Sequence, residues 1–299
     1  MKVRLLGPGA VGAPLALRLA EVSSFALIAD EERCKRYRQD GLIINGRKYH
    51  FEAESQGDGD SDLIILACKN FSLKSAMEEI ESFVGPDSVI MSLLNGVESE
   101  RILADKFGPD KVIYSFITSL SSNREGNEIT CFSSEGGLIL FNEGSNERTP
   151  RIEKIAALFD KAGIRYLIPE DIHHEIWWKF MLNTCFNSLS GVLGTDYDRI
   201  VGNEGLFRAA RVIASEVQMV ARAEGITLSE DDIEKMMGMM SSFRGAGKTS
   251  MLQDIEAGRM TENRYFTGTI SSLAAKHSLK TPACDFLYNL VEAASYAKK

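Results

Sequence analysis

Three polar residues, Lys179, Asn183 and Asn187, recur at intervals of four in a segment that is otherwise rich in large apolar side chains. On an α-helix they would lie along one face, one residue per turn. A lysine and two amides on a buried helix need partners, because burying a polar group without one costs on the order of a few kcal/mol. The spacing therefore favours a polar cleft that holds a ligand. The alternative is that this face of the helix points to solvent.

The chain begins with a strand predicted over Lys2–Leu6, a glycine-rich turn and a helix predicted over Pro14–Glu21. The turn consists of Gly7, Pro8, Gly9, Ala10, Val11 and Gly12. Between a strand and a helix this spacing is typical of dinucleotide binding. The first glycine permits a tight turn, the second lets backbone approach a pyrophosphate, and the third allows close packing. The helix N-terminus favours the phosphate charge. An ordinary glycine-rich turn is the alternative.

Asp30 stands at the end of the second predicted strand, Phe25–Ala29, where the residue that meets the adenosine ribose is usually found. A carboxylate there accepts a hydrogen bond from the 2′-hydroxyl and repels a 2′-phosphate, which favours NAD. Several basic residues follow closely, and an arginine among them could accommodate a 2′-phosphate: Arg33, Lys35, Arg36 and Arg38. Asp30 could also be part of a charged, solvated helix start. The sequence leaves NAD versus NADP open.

Alternating strands and helices through residue 168 predict a doubly wound parallel sheet. Lys69 follows the apolar strand Asp62–Ala67, and Asn95 follows Ser88–Leu94. Ligands of open α/β sheets bind at the carboxyl ends of strands, so both residues are candidate ligand contacts. The alternatives are a solvated lysine and an ordinary Asn-Gly turn. Further strands are predicted at Lys111–Ile117, Glu128–Ser133, Gly137–Phe141 and Arg165–Ile168, with a hairpin from Leu42–Ile44 to Tyr49–Ala53.

After Pro169 the pattern is helical throughout. The predicted fold class is therefore α/β, with an N-terminal Rossmann-like doubly wound sheet (residues 1–168) and an all-helical C-terminal domain (residues 169–299). Helices are predicted over Glu175–Asn187, with Asp171 as N-cap, and over Leu206–Glu224, Ser229–Phe243, Asp254–Met260, Phe266–His277 and Ala283–Ala297.

Three local patterns in this second half have both a functional and a structural interpretation. Ser250 and Glu262 could supply a hydroxyl and a carboxylate to the same cleft as Lys179. The structural alternative is that Ser250 is the N-cap of one helix and Thr261 opens the next. Gly245–Thr249 ends like a phosphate-binding loop, but Ser242 replaces the first glycine and no strand precedes it. His173-His174-Glu175 is better explained by surface histidines at a helix start than by a metal site.

Composition argues against several classes of function. The chain has 299 residues and a net charge of -8, so it shows no basic footprint for nucleic acid or for an anionic membrane. The five cysteines include no CxxC pair, which predicts no metal site and a reducing compartment. The chain begins directly with a strand-like run, and no apolar run could span a bilayer, so a soluble cytoplasmic protein is expected.

These features together resemble the ketopantoate reductase family, the 2-dehydropantoate 2-reductases of pantothenate biosynthesis. The resemblance covers nearly the whole chain, and its most specific part is the Lys-Asn-Asn helix combined with Ser-Met-x-x-Asp. It rests on Gly7–Gly12, Asn95-Gly96, Trp177–Asn187, Ser250–Asp254, Thr261-Glu262 and Gly268. It implies NAD(P)H-dependent reduction of ketopantoate to pantoate, with hydride delivered to the C2 ketone.

The resemblance also implies roles for the matching residues. Lys179 would be the general acid that protonates the ketone oxygen. Glu262 would hydrogen-bond the terminal hydroxyl of the substrate and lie near the cofactor. The substrate would be held by Asn95, Asn183, Asn187 and Ser250. Asn95 would also contact the nicotinamide ribose, and the glycine turn would hold the pyrophosphate.

Two positions depart from the family pattern. The resemblance implies an NADP(H)-dependent enzyme, and the family usually carries a matching arginine near the end of the second strand. Asp30 stands there in this chain, which makes NAD(H) possible. The family usually continues Thr-Glu with Ile-Asp, where this chain has Asn263-Arg264, and Arg264 could select a more acidic oxo acid. The alternatives are thus a reductase of another small 2-oxo acid, or a nicotinamide-binding sensor without turnover. A site between the two domains and a homodimer are both compatible with the resemblance.

Overall fold

The computed structural model describes residues 1–120, 122–132, 137–242 and 247–297. The chain divides into two units, Met1–Ile172 and His173–Lys299. We still propose residues 1–168 and 169–299 as the limits of the two domains. None of the helices in the described ranges is long and apolar enough to cross a membrane.

The first unit carries the strands. Their bounds are β1 Lys2–Leu6, β2 Ser24–Ile28, β3 Leu42–Ile44, β4 Arg47–Tyr49, β5 Ala53–Glu54, β6 Leu63–Leu66, β7 Val89–Ser92, β8 Val112–Thr118, β9 Ser122–Glu125, β10 Glu128–Cys131, β11 Leu138–Asn142 and β12 Arg165–Leu167. Strands β6 and β7 are continuous apolar runs with every residue buried, as expected for strands covered on both faces.

The main sheet has the order β12-β11-β8-β7-β6-β1-β2-β5. Strands β1, β2, β5, β6, β7 and β8 pair in parallel, which confirms the predicted Rossmann-like class. The sheet is mixed rather than purely parallel, because β11 runs antiparallel to β8. The sequence does not show this, since an apolar strand has the same pattern in either direction.

A smaller sheet has the order β4-β3-β10-β9. The predicted hairpin is present, and its turn residues Asn45 and Gly46 both have positive φ (49° and 73°), as a tight hairpin turn requires. Its second strand was predicted at Tyr49–Ala53 but lies at Arg47–Tyr49, directly after the turn, and Ala53 belongs to β5, which pairs with β2 in the main sheet. Strand β9 was not predicted. Ser133, at the end of the predicted strand Glu128–Ser133, lies outside the described residues.

The helices of the first unit are α1 Gly12–Ala20, α2 Glu31–Gln39, α3 Leu73–Ile80, α4 Ser99–Phe107 and α5 Pro150–Ala162. Apolar side chains of these helices pack with the strands in two separate clusters of buried residues. One cluster contains Leu15, Leu19 and Phe159, and the other contains Leu73, Ile80 and Leu103. The residues of β1 divide between the two clusters, so the sheet is covered on both faces and only its edges and strand ends are open to a ligand.

The second unit is helical in its described residues. The helix predicted over Glu175–Asn187 corresponds to most of α6 Ile172–Leu182 and a π-helical turn Asn183–Asn187, and α7 Ser188–Leu193 follows directly. The helices that follow are α8 Tyr197–Val201, α9 Glu204–Ala223, α10 Glu230–Ser242, α11 Ser250–Glu256, α12 Thr267–Lys276 and α13 Pro282–Ala297. Helix α11 begins and ends four residues earlier than predicted, and Gly258 (φ 63°) follows its end. Phe243, at the predicted end of α10, lies outside the described residues.

His174 is not a surface histidine, in contrast to the sequence-based interpretation. Its imidazole is about a quarter exposed, and Nε2 lies 3.3 Å from a carboxylate oxygen of Asp232 on α10. The neighbouring Glu175 lies 3.6 Å from Nδ1. Hydrogen bonding with Glu175, joined by that with Asp232, raises the pKa of His174 to about 9 against the opposing effect of burial. The histidine therefore joins α6 to α10 as a cation.

We expect this contact to make stability depend on pH. Because the folded-state pKa of His174 is raised from 6.5 to about 9, its stabilisation is complete below pH 6.5 and is lost as pH rises through 9. His174→Gln should lower the free energy of unfolding by about 1–2 kcal/mol at acidic pH, the scale of a charge-assisted hydrogen bond, and by much less in alkaline solution. Urea unfolding at several pH values measures this, with exposed His50→Gln as control. A loss that is the same at every pH would contradict the expectation.

Candidate active site

The glycine turn after β1 is held by close backbone contacts. Gly7 has φ 90°, and a Cβ built on it would lie 2.8 Å from the carbonyl carbon and oxygen of Ala67. A Cβ on Gly12 would lie 2.3 Å from the Gly7 carbonyl oxygen. Both positions therefore require glycine. By contrast, a Cβ on Gly9 would meet only a guanidinium nitrogen of Arg124 at 3.9 Å, so the space above Gly9 is wide enough for a pyrophosphate to approach.

Two residues beside this turn were missed by the sequence analysis. The Ser122 hydroxyl donates to the Ala10 carbonyl oxygen at 2.6 Å, and the Arg124 guanidinium lies next to Gly9. Arg124 is oriented by a 2.9 Å hydrogen bond from Nε to the Gly126 carbonyl oxygen. Both residues belong to β9, so only the tertiary structure brings them to the turn. A cation beside the N-terminus of α1 suits a pyrophosphate.

The carboxyl ends of β1, β6 and β7 lie at one edge of the sheet, since these strands pair in parallel. This edge carries the glycine turn, Lys69 after β6 and Asn95 after β7. The loops of the last two are joined by a 2.8 Å hydrogen bond from the Asn70 amide to the Asn95 carbonyl oxygen. Lys69 and Asn95 are each partly buried. The structure thus brings three predicted cofactor contacts to the edge where such sheets bind ligands.

Asp30 follows β2 at the same edge and caps α2. Its carboxylate accepts hydrogen bonds from the Arg33 backbone N–H at 2.7 Å and from Arg33 Nε at 2.8 Å. The backbone hydrogen bond from Arg33 is the main cause that lowers the pKa of Asp30. Asp30 is therefore the charged residue that starts α2, as the structural interpretation predicted. It is also an acid at the position predicted to meet the ribose.

An open depression of about 380 Å³ lies beside Asp30. Four carboxylates line it: Asp30, Glu31, Glu78 and Glu79. Ser55, Gln56 and Ser75 contribute uncharged polar groups. The depression therefore has hydrogen-bond partners for hydroxyl groups, and its excess negative charge opposes an additional anion.

In the second unit, the stripe of Lys179, Asn183 and Asn187 departs from regular helical geometry. Lys179 lies on α6, whereas Asn183 and Asn187 are the first and last residues of the π-helical turn. A π-helical turn contains more residues than an α-helical turn. The predicted alignment of one polar residue per turn therefore does not continue beyond Asn183. π-Helical turns are rare and occur frequently at functional sites. Lys179 and Asn183 are partly buried and Asn187 is buried, so the stripe is not a solvent-facing surface.

Asn187 has an internal partner. Its side-chain oxygen accepts a 3.1 Å hydrogen bond from the Tyr197 hydroxyl on α8. Burial raises the pKa of Tyr197 to about 12, so the phenol remains a neutral donor. This hydrogen bond holds the end of the π-helical turn in place. Asn187 therefore has a structural role in addition to its predicted contact with substrate.

Ser250 is the first residue of α11, but it is not the N-cap, in contrast to the structural alternative considered above. The cap is Thr249, whose hydroxyl accepts from the Leu252 backbone N–H at 3.1 Å and donates to Ser190 on α7 at 3.0 Å. Buried Thr249 thus anchors α11, which leaves exposed Ser250 one residue away. Thr261 does not begin a helix either, since α12 starts at Thr267.

Glu262 is buried, with a relative exposure of 4%. It directly precedes fully buried Asn263, whose amide donates to the Tyr288 carbonyl oxygen at 3.0 Å and to Glu292 at 2.8 Å. The Phe266 ring, four residues after Glu262, stacks on Phe180 at a centroid distance of 6.3 Å. Because Phe180 follows Lys179, this stack joins the segments that carry the predicted acid and the predicted carboxylate. Asn263 was missed because a buried asparagine has no sequence signature.

The remaining predicted features have other surroundings. The Arg264 side chain is exposed. Lys248 forms an ion pair with Glu256 at 2.7 Å, which favours a structural role, and Gly245 and Ala246 of the same pattern lie outside the described residues. In the part of the chain that the structure describes, no group of three or more His, Cys, Asp or Glu residues could hold a metal ion.

Comparison with known proteins shows the family of the chain. The family model "Ketopantoate reductase PanE/ApbA" matches residues 3–144, and "Ketopantoate reductase PanE/ApbA C terminal" matches residues 171–295. The chain belongs to the ketopantoate reductase family. Its fold, a Rossmann-like sheet followed by a helical domain, is that of the family, and the recognition made from the sequence motifs is confirmed.

Several relatives match this chain over almost the whole length of both proteins. The chain is 28% identical to a 2-dehydropantoate 2-reductase of Mesorhizobium japonicum, with 97% of each protein covered. It is 27% identical to the uncharacterized oxidoreductase YkpB of Bacillus subtilis, over 96% of this chain and 97% of that protein. A D-mandelate dehydrogenase solved with NADH and anilino(oxo)acetate has a TM-score of 0.89 and 26% identity, with 100% and 99% of the chains covered. The 2-dehydropantoate 2-reductase of Geobacter metallireducens has a TM-score of 0.85 and 25% identity, with 98% and 100% covered.

Family membership makes the chain an oxidoreductase of the ketopantoate reductase type that uses a nicotinamide cofactor. The residues present fit such a cofactor, since the glycine turn leaves open space at Gly9 beside the Arg124 guanidinium. The family by itself does not decide between NADH and NADPH, or between one 2-oxo acid and another.

The glycines give a matched pair of substitutions. Gly12→Ala should lower the melting temperature, because the added methyl would lie 2.3 Å from the Gly7 carbonyl oxygen. Gly9→Ala should leave the melting temperature nearly unchanged but weaken dinucleotide binding roughly tenfold or more, because the methyl occupies the approach to the pyrophosphate. Thermal unfolding and fluorescence titration with NADH measure the two effects. Unaltered nucleotide affinity in Gly9→Ala would refute the assignment of the turn.

Proposed function

We propose that this protein reduces a small 2-oxo acid to the corresponding 2-hydroxy acid with NADH, and that ketopantoate is the first substrate to test. The observation that carries the proposal is the arrangement in the second unit. Half-buried Lys179 and buried Glu262 lie on segments that are joined by the stacked rings of Phe180 and Phe266. The proposal includes no nucleic acid or membrane partner, and assembly as a homodimer stays a prediction.

Lys179 is the proposed general acid. When bound, a reduced nicotinamide cofactor would supply the hydride for the C2 ketone. As the carbon–oxygen π bond breaks, negative charge develops on the ketone oxygen. The Lys179 ammonium stabilises this charge where it forms and then transfers a proton to the oxygen, which yields the alcohol. The half-buried position strengthens the electrostatic stabilisation, because fewer water molecules screen the charge.

The other candidates are proposed to orient substrate and cofactor. Asn183, Asn187 and Ser250 hold the carboxylate and hydroxyl of the substrate, and Asn95 contacts the substrate and the nicotinamide ribose. The turn from Gly7 to Gly12 holds the pyrophosphate, with Arg124 as an additional cation. Lys69 lies at the same edge of the sheet, within the cofactor site as proposed.

The cofactor preference rests on the charges around Asp30. Four carboxylates line the depression at the carboxyl end of β2, where the adenosine ribose of such cofactors binds. A ribose 2′-hydroxyl can donate a hydrogen bond to a carboxylate, whereas the 2′-phosphate of NADPH would bring about two further negative charges. The solved D-mandelate dehydrogenase, 26% identical to this chain, was crystallised with NADH. We therefore propose NADH as the cofactor, instead of the NADP(H) that the family resemblance implies.

Ketopantoate is favoured over other substrates by the carboxylate of Glu262. A buried carboxylate suits a substrate that carries a hydroxyl group, because a site built to accept a hydroxyl discriminates strongly against analogues without one. The 2-dehydropantoate 2-reductase of Mesorhizobium japonicum points to the same substrate.

The 2-oxo counterpart of D-mandelate is the second candidate. The D-mandelate dehydrogenase has a TM-score of 0.89 against this chain, which is the observation in its favour. This aryl oxo acid lacks the terminal hydroxyl that ketopantoate would present to Glu262. Parallel assays with both acids, each with NADH and with NADPH, follow the loss of reduced-nicotinamide absorbance. Faster turnover of the aryl acid would transfer the proposal to the second candidate, and faster turnover with NADPH would overturn the cofactor assignment.

Substitution of the two proposed catalytic residues tests their roles. Lys179→Ala should lower kcat at least about a hundredfold, the low end for a positioned proton donor, while NADH affinity stays within a fewfold. Glu262→Ala should also lower turnover at least about a hundredfold, because loss of the group that holds the substrate hydroxyl misplaces the reacting ketone. Exposed Lys161→Ala, at the end of α5, is the matched control. Turnover by Lys179→Ala near the wild-type rate would refute the general-acid role.

A further inference from the structure

Arg33 forms a bridge between α2 and α3. Its Nε lies 2.8 Å from an Asp30 carboxylate oxygen, and its Nη2 lies 2.7 Å from a Glu79 carboxylate oxygen. The side chains of Arg33 and Glu79 are 34% and 23% exposed, so this pair is screened less than an ordinary surface ion pair. Burial opposes the charge of Arg33, but the hydrogen bonds to both acids outweigh it and raise the pKa of the guanidinium.

The bridge lies where an arginine would serve a different cofactor. Asp30 and Glu79, the two acids that Arg33 contacts, both line the depression after β2. An arginine at this position can accommodate the 2′-phosphate of NADPH through a planar pair of hydrogen bonds. Here two of the guanidinium nitrogens already donate to carboxylates of the protein. The planar pair of hydrogen bonds at the Nε–Nη2 edge of Arg33 is therefore open to a 2′-phosphate only when one of these acids is displaced.

We propose that Glu79 is a specificity-determining residue: it holds Arg33 in the bridge and so denies NADPH the arginine that would neutralise its 2′-phosphate. The inference rests on the proposed nicotinamide site and adds a residue from α3 to the selection otherwise made by Asp30. It also explains why a basic residue three positions after Asp30 does not convert the site to NADPH. Arg33 is present, but the Glu79 carboxylate competes with a 2′-phosphate for its guanidinium.

Glu78 provides a matched control. It is the preceding residue of α3, it lines the same depression and it carries the same charge. The ion pair of Arg33, however, is with Glu79. Glu78 is exposed and Glu79 is partly buried. Alanine is a good helix former, so Glu78→Ala and Glu79→Ala each remove one carboxylate without disturbing α3. General repulsion predicts similar effects of the two substitutions, whereas the bridge predicts different ones.

The test is a measurement of dissociation constants in the absence of any oxo acid. NADH and NADPH are titrated by fluorescence, and adenosine 5′-monophosphate and adenosine 2′,5′-bisphosphate are titrated by calorimetry. Each pair differs by the 2′-phosphate alone. Glu79→Ala should improve the affinity for the 2′-phosphorylated member relative to its partner roughly tenfold, the scale of one charge-assisted contact, and Glu78→Ala by less than about threefold. The double variant Arg33→Gln with Glu79→Ala should lose most of the gain, because the cation is gone.

Three results would overturn the inference. These are a wild type that prefers NADPH, an equal gain in Glu78→Ala and Glu79→Ala, or a gain that persists when Arg33 is removed. The binding assay contains no substrate, so a failure to reduce either oxo acid would refute the proposed reaction and leave this inference standing. Failure of the wild type to bind either dinucleotide would refute both. Thermal unfolding of each variant verifies that the fold is retained.

Discussion

The first unit depends on the close approach of the Gly7 backbone to Ala67 and Cys68. A Cβ at Gly7 would lie within 2.9 Å of atoms of both residues, and φ is 90° at this position, so only glycine fits without strain. The contact brings the carboxyl end of β1 against that of β6. It also sets the direction of the turn, so that α1 begins at Gly12 with its N-terminus directed at the strand ends. Lys69 and Asn95 are placed relative to this turn by the parallel pairing of their strands.

In the second unit, positioning depends on buried contacts rather than on the regularity of one helix. The π-helical turn at Asn183–Asn187 interrupts the segment, and the Tyr197 hydroxyl holds Asn187 at its end. Thr249 anchors α11 to α7, and Asn263 ties the residue after Glu262 to α13. Each of these buried polar groups has a hydrogen-bond partner, because burial without one would be costly. Such contacts would hold Lys179, the proposed general acid, in one place.

The electrostatics of the first unit separate this chain from the family pattern. Asp30 stands where the resemblance implied an arginine, and it is joined in the same depression by Glu31, Glu78 and Glu79. The nearest arginine in sequence, Arg33, is paired with two of these acids. In our proposal, cofactor choice therefore depends on a group of charges from α3 and from the start of α2, and not on one position alone.

The α/β class, the glycine turn, most strand positions and the family could all be predicted from the amino-acid sequence. Each of these depends on local periodicity or on residues adjacent in the chain, as Gly7–Gly12 shows. Four features became visible only in the folded chain: the antiparallel β11, the π-helical turn, the approach of Arg124 to Gly9 and the pairing of Arg33 with Glu79. These features join residues far apart in the chain, or depend on how a segment packs. An apolar strand has the same pattern in either direction, and an arginine has the same identity whether it is paired with a protein acid or exposed to a ligand.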